Sequence, residues 1–177
     1  NGTNGQLTLN VDNNIATNFG GTAIFAGQTA GNATATSKLH ATIQNNTVTA
    51  PTSATNHSII GFLTSTVGQV SPARIRVHNN TVTQNSTSGV ARGILIDTPD
   101  ASTSPDFHAT VTNNIVDGTD TVAGVVPLVV QSRQSATACM NISGNDSASA
   151  TGGVAGVRAR QSAPAVANLF GAGVSAT

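Results

Sequence analysis

Apolar and polar residues alternate along this chain in short phrases, and each phrase closes on a pair of asparagines. The phrases read Leu7-Thr-Leu-Asn-Val-Asp-Asn13-Asn14, Leu39-His-Ala-Thr-Ile-Gln-Asn45-Asn46, Ala73-Arg-Ile-Arg-Val-His-Asn79-Asn80 and Phe107-His-Ala-Thr-Val-Thr-Asn113-Asn114. A weaker fifth copy is Ala138-Cys-Met-Asn-Ile-Ser-Gly144-Asn145, and the steps between copies are 32, 34, 34 and 31 residues. Alternation with period two predicts a half-buried strand. Leu7, Leu9 and Val11 fall on one face, as do the matching residues of every later copy, and the residues between them are polar. A fixed period of this size marks a stacked repeat.

A second apolar block follows each asparagine pair. The blocks are Thr22 to Phe25, Ile59 to Leu63, Val90 to Ile96, Val122 to Val130 and Val154 to Val157. A glycine stands just before the apolar pair in the later copies: Gly61, Gly93, Gly124 and Gly156. Short β-branched segments such as Thr47-Val-Thr49 and Thr81-Val-Thr83 come directly after the asparagines. Each repeat therefore predicts about three short strands and three turns, and no segment has a helical period.

Such repeats build either an antiparallel sandwich or a parallel solenoid. The asparagine columns favour the solenoid. There, equivalent residues of successive coils lie about 4.8 Å apart, and stacked asparagines hydrogen-bond as ladders. A sandwich has no reason to repeat Asn-Asn at this interval. Asparagine also tolerates the left-handed backbone of a sharp corner, and Gly144, which replaces the first asparagine in the fifth copy, tolerates it better. Asn13, Asn14, Asn45, Asn46, Asn79, Asn80, Asn113, Asn114, Gly144 and Asn145 are thus the expected corner and ladder residues. The fold class expected is all-β: a single-stranded right-handed parallel β-helix of about five coils of 31–34 residues. The stretches Gln28–Ser37, Gly68–Pro72, Pro99–Pro105 and Ala148–Gly152 are rich in Ser, Thr, Ala and Pro, and are expected to form the third turn of each coil.

Composition narrows the function. Charged residues are 8% of the chain against roughly 25% in an ordinary domain, and the formal net charge is zero. Nucleic-acid binding needs clustered Lys or Arg, and only the pairs Arg74/Arg76 and Arg158/Arg160 approach that. No run of 18 apolar residues exists to span a membrane as a helix. The Thr/Asn/Ser-rich, nearly Lys-free composition is that of a secreted or cell-surface protein. From the opening Asn1-Gly2 a processed chain or a fragment of a longer one is expected, and residues 1–177 read as one solenoid domain. With no amphipathic cap at either terminus, further coils or self-stacking are expected.

The pattern resembles the right-handed parallel β-helix, or β-strand-repeat, proteins of bacterial exteriors. The resemblance rests on the four alternating strands ending in Asn-Asn. It rests also on Ala138-Cys-Met-Asn-Ile-Ser-Gly-Asn145 followed by Val157-Arg-Ala-Arg-Gln161, similar to a Cys-Leu-Asn-Leu-Ser-Gly-Asn phrase preceding Arg-x-Arg-Gln in the last coils of such proteins. It implies a fold rather than an activity, because adhesins, lyases, hydrolases and structural proteins share that fold. No catalytic motif of the family has a counterpart in this chain.

Chemistry-bearing residues are few. Glycoside hydrolysis uses paired carboxylates, and calcium-dependent lyases gather aspartates. The close acidic groups are Asp97 with Asp100 and Asp106, and Asp117 with Asp120, all expected in turns. His40, Arg74, His108 and Cys139 share one outward column, which puts His40 and His108 about 9.6 Å apart, too far for one metal ion. His108 and Cys139 are expected as neighbours without a third orienting group. Sugar stacking is disfavoured by the absence of Trp and Tyr, the five Phe fitting mostly core positions. The Thr-x-Thr pairs make an array only two rungs deep, flanked by Ile15 and Ile115. Asn-x-Ser/Thr sequons at Asn32, Asn45, Asn56, Asn79, Asn85, Asn141 and Asn145 follow from the turn motif and composition. The expectation is a non-catalytic extracellular structural or adhesive solenoid without cofactors, associating with itself or with neighbouring coils. A polysaccharide-binding or polysaccharide-degrading module is the alternative.

Overall fold

The computed structural model describes residues 6–29, 38–64, 73–85, 87, 91–98, 106–118, 126–132, 137–149, 156–161 and 166–170. Their regular structure is entirely β. The first coil holds β1 (Gln6–Asp12), β2 (Ile15–Thr17) and β3 (Ile24–Thr29). The second holds β4 (Lys38–Gln44), β5 (Thr47–Ala50) and β6 (Ile59–Thr64), and the third β7 (Ala73–His78), β8 (Thr81–Gln84) and β9 (Ile94–Thr98). The fourth holds β10 (Asp106–Thr112), β11 (Ile115–Gly118) and β12 (Leu128–Ser132), and the fifth β13 (Thr137–Ser143), β14 (Asp146–Ser149) and β15 (Val157–Gln161). A last strand, β16 (Val166–Phe170), pairs with β13.

Every third strand joins the same sheet. The first sheet runs β1-β4-β7-β10-β13-β16, the second β2-β5-β8-β11-β14 and the third β3-β6-β9-β12-β15. All pairings are parallel. The chain is therefore a parallel β-helix of five three-stranded coils with one further strand. Leu7, Leu39, Ala73, Phe107 and Ala138 are direct register partners, so the repeated phrases superimpose without slippage. A slip of one residue would turn every apolar side chain outward.

Inside the first sheet the side chains interlock. Leu39, Ala73, Phe107 and Ala138 form one inward column, and Ala41, Ile75, Ala109 and Met140 the next. All eight are buried. A large residue in one column always stands beside a small one in the other, and the order reverses at each coil. The third column, Ile43, Val77, Val111 and Ile142, is β-branched throughout and buried. The core is open at the first coil, where Leu7 is 43% exposed although its partner Leu39 is buried.

The third sheet differs from the other two. Ile60, Leu95 and Val129 project outward from it yet are buried, so β12 is covered on both faces. β6, β9 and β12 accordingly open on apolar runs, as expected where a parallel sheet is covered on both sides, whereas β15 alternates Val, Arg, Ala and Arg.

Two expectations about this region need correction. Gly61 is not the counterpart of Gly93 and Gly156. Gly93 and Gly156 directly precede β9 and β15, whereas Gly61 lies inside β6 opposite Ile96. A Cβ there would come within 2.8 Å of Ile96 Cδ1 and 2.9 Å of Ile75 Cγ2, so core volume explains that glycine. Gly124 lies outside the described residues. Ala148–Gly152 is also not a third turn, since it starts within β14 and leads from the second sheet to the third. Of the other three stretches, Gln28 and Thr29 belong to β3, and 30–37, 68–72 and 99–105 lie outside the described residues.

Candidate functional site

The asparagine pairs divide into two structural roles. The first member of each pair bends the backbone: Asn13, Asn45, Asn79 and Asn113 have φ of 57°, 57°, 53° and 56°, and Gly144 has 65°. This is the left-handed region, where asparagine is the least unfavourable residue after glycine. At Gly144 that φ disfavours most side chains, and a Cβ would run into Asn113 Oδ1, which would have to shift. Asn18, with φ 56°, makes a further bend ahead of β3 that the pairwise repeat did not reveal.

The second member turns inward and builds a ladder. Asn46, Asn80 and Asn114 are almost wholly buried. Asn14 donates from both its backbone N and its Nδ2 to Asn46 Oδ1, at 2.9 and 3.0 Å. Asn46 does the same to Asn80 Oδ1 (3.0 and 2.9 Å), and Asn80 to Asn114 Oδ1 (3.0 and 2.9 Å). Asn114 repeats it to Asn145 Oδ1, at 3.0 and 2.8 Å. Each Nδ2 from the second coil onward also donates back to a carbonyl of the preceding coil: Asn46 to Val11, Asn80 to Ile43, Asn114 to Val77 and Asn145 to Val111. One amide thus ties three successive coils, and polar groups that would be costly to bury are satisfied.

A second, exposed ladder runs beside it. Asn79 Nδ2 donates to Asn45 Oδ1 and Asn45 Nδ2 to Asp12 Oδ1, both at 2.8 Å. Here the donor lies in the later coil and the acceptor in the earlier one, opposite to the inner ladder.

The outward face of the first sheet carries the polar chemistry. His40, Arg74, His108 and Cys139 are consecutive register partners, and Thr42, Arg76, Thr110 and Asn141 form the adjoining column. Cys139 is a free, half-buried thiol. His40, Thr42, Arg74, Arg76, His108 and Thr110 line a shallow open depression of about 270 Å³. Arg76 Nη1 donates to Gln44 Oε1 at 3.3 Å, and His78 Nδ1 shares a 2.9 Å hydrogen bond with Thr112 Oγ1.

Three of the acidic residues expected in turns, Asp97, Asp106 and Asp117, lie in strands instead. Asp97 is buried in β9 and Asp117 is exposed in β11, on different sheets; Asp106 opens β10. Asp100 and Asp120 lie outside the described residues. Among the described residues no three of His, Cys, Asp or Glu converge as a metal-binding group.

Three further placements bear on the sequence reading. Ile15 (81% exposed) and Ile115 (52%) flank Thr47 and Thr81 on the outer face of the second sheet. The neighbouring column runs Thr17, Thr49, Thr83, Asp117, so the paired Thr-x-Thr array is two rungs deep, as expected, with one further threonine at Thr17. Phe25 is 55% exposed and lies over Gly27, while Phe107 is fully buried.

His57 was not singled out by sequence. Its Nδ1 accepts the backbone N–H of Arg92 at 2.9 Å, and beside it Ser58 Oγ donates to Gln84 Oε1 at 2.9 Å within the corner between the second and third sheets. Burial, and secondarily the Arg92 charge, push the imidazole down from 6.5 to about 4. The only sequence signal was a lone histidine next to an apolar run.

No protein-family model matches the chain, and neither any curated protein nor any solved structure matches it. The fold and the asparagine ladder therefore stand on the geometry alone.

Proposed function

We propose that the chain is a non-catalytic structural and adhesive β-solenoid of an extracellular surface, akin to the bacterial β-strand-repeat proteins, and that it works as a segment or subunit of a filament. The observation that carries this reading is the inner ladder, which repeats the same two bonds at every step from Asn14 to Asn145. A stack whose steps are alike is extended by adding the same contacts again, the logic of repeat proteins. The partly uncovered Leu7 of the first coil supports it, since another coil laid on β1 would bury that column as the second coil buries its far side. Continuous parallel pairing and buried amides would make such a rod stiff and protease-resistant.

Negative-stain electron microscopy of the purified protein, across a range of concentrations, is the test. Rods of uniform width and variable length are expected. Discrete particles at every concentration would overturn the filament, and turnover of any polymer in a polysaccharide panel, with or without calcium, would overturn the non-catalytic reading.

A further inference from the structure

The depression on the first sheet has a composition that a mechanical rod does not require. Arg74 and Arg76 alternate on β7 and therefore project from the same face, about 6.6 Å apart along the strand. Both are exposed, in a chain with only seven basic residues. His40 and His108 stand one coil to either side of Arg74, and Thr42 and Thr110 one coil to either side of Arg76. None of the residues lining the depression is acidic. Asp12, in the first coil, has its Oδ1 engaged by Asn45 Nδ2. Lys38 occupies the outward position two residues before His40 and adds positive charge on that flank.

We propose that this face binds an oxyanion-bearing glycan chain, a polysaccharide carrying sulfate or carboxylate groups. Guanidinium groups match the geometry of both oxyanions through paired N–H donors. Threonine hydroxyls on both sides of Arg76, and the His40 imidazole, supply donors and acceptors for sugar hydroxyls. The depression is open and shallow, as an extended polymer laid across the strands needs. Single-stranded nucleic acid fits less well, because such sites stack bases on large aromatic rings and no Phe, Tyr or Trp lines the depression. The site extends the adhesive half of the proposed function but does not depend on polymerisation, since a single rod carries it whole.

Affinity electrophoresis of the full chain tests it, in gels containing dextran sulfate, polygalacturonate or unmodified dextran. Retardation by one or both acidic polymers and not by dextran is expected, weakening as salt rises. Which acidic polymer acts distinguishes sulfate from carboxylate. Arg74→Gln with Arg76→Gln should weaken retardation about tenfold or more, whereas Arg158→Gln with Arg160→Gln on β15 removes the same charge elsewhere and should not. If the glutamine pair fails to fold, Arg74→Lys with Arg76→Lys keeps the charge, loses the planar fork, and should bind more weakly than the parent. Equal retardation by dextran, no retardation by either acidic polymer, equal loss in both glutamine pairs, or tighter binding of a thymidine homopolymer would overturn the proposal. None of these results decides whether filaments form, so the two readings fail separately.

Discussion

Asn80 shows how much one side chain holds in this molecule. Its Oδ1 accepts two bonds from Asn46, and its Nδ2 donates to Ile43, His78 and Asn114. Removing the amide leaves the buried Asn46 backbone N–H without its acceptor and Asn46 Nδ2 with its bond to Val11, and each orphaned buried group costs about 1–3 kcal/mol. Asn80→Ala should therefore lower stability by roughly 3 kcal/mol in urea unfolding. Combining it with Asn114→Ala should cost less than the two single effects added, because the variants share one bond. Unchanged unfolding of the double variant would remove the ladder as a source of stability. His57 gives a pH signature at the same scale. Its folded pKa of about 4 lies below the unfolded 6.5, so the unfolded chain takes up the proton first. Its contribution is fully present above about pH 6.5 and is lost as pH falls towards 4. His57→Gln should flatten the stability profile over that interval; a profile as steep as the parent's would show that other groups cause it. The asparagine positions were readable in the sequence, but their division of labour was not. Two adjacent amides look alike until backbone direction separates them, and Gly144 was the only residue marking the bend.

Among the strands, the period-two pattern located the first sheet because one of its faces is wet and the other dry. The third sheet was harder to align, since Ile60, Leu95 and Val129 are buried on the outer face and no alternation marks the register. That is why Gly61 was matched to the wrong glycines. The interlocked inward columns of the first sheet give a sharp test. Exchanging Ala73 and Ile75, as Ala73→Ile with Ile75→Ala, keeps composition and volume within the coil. It also stacks large residues against Leu39 and Phe107 and leaves small ones against Ala41 and Ala109. A loss of about 1–3 kcal/mol is expected from the resulting misfit. An unaltered urea midpoint would mean that only total volume matters here.

For the molecule as a whole, the repeat interval was enough to establish topology. Once each phrase is a strand and each phrase recurs after 31–34 residues, a parallel stack is the arrangement that superimposes them. The depression on the first sheet was less evident. Arg74, Arg76, His40 and His108 come from three coils, and their convergence depends on register that only the three-dimensional stack supplies. Ligand chemistry has no periodicity of its own, so a repeat that encodes the scaffold leaves the cargo of one face nearly unwritten.

The inner amides also give the rod an arrow. In the bonds from one inner amide to the next, the earlier coil supplies the N–H groups and the later coil the Oδ1 at every junction. Two coils meeting through equivalent surfaces across a two-fold axis would set oxygen against oxygen or hydrogen against hydrogen. Lengthening that keeps the ladder must therefore be head-to-tail, a heterologous contact that does not close on itself. A fibre built this way has two chemically different tips, and growth and anchoring can each be assigned to one of them.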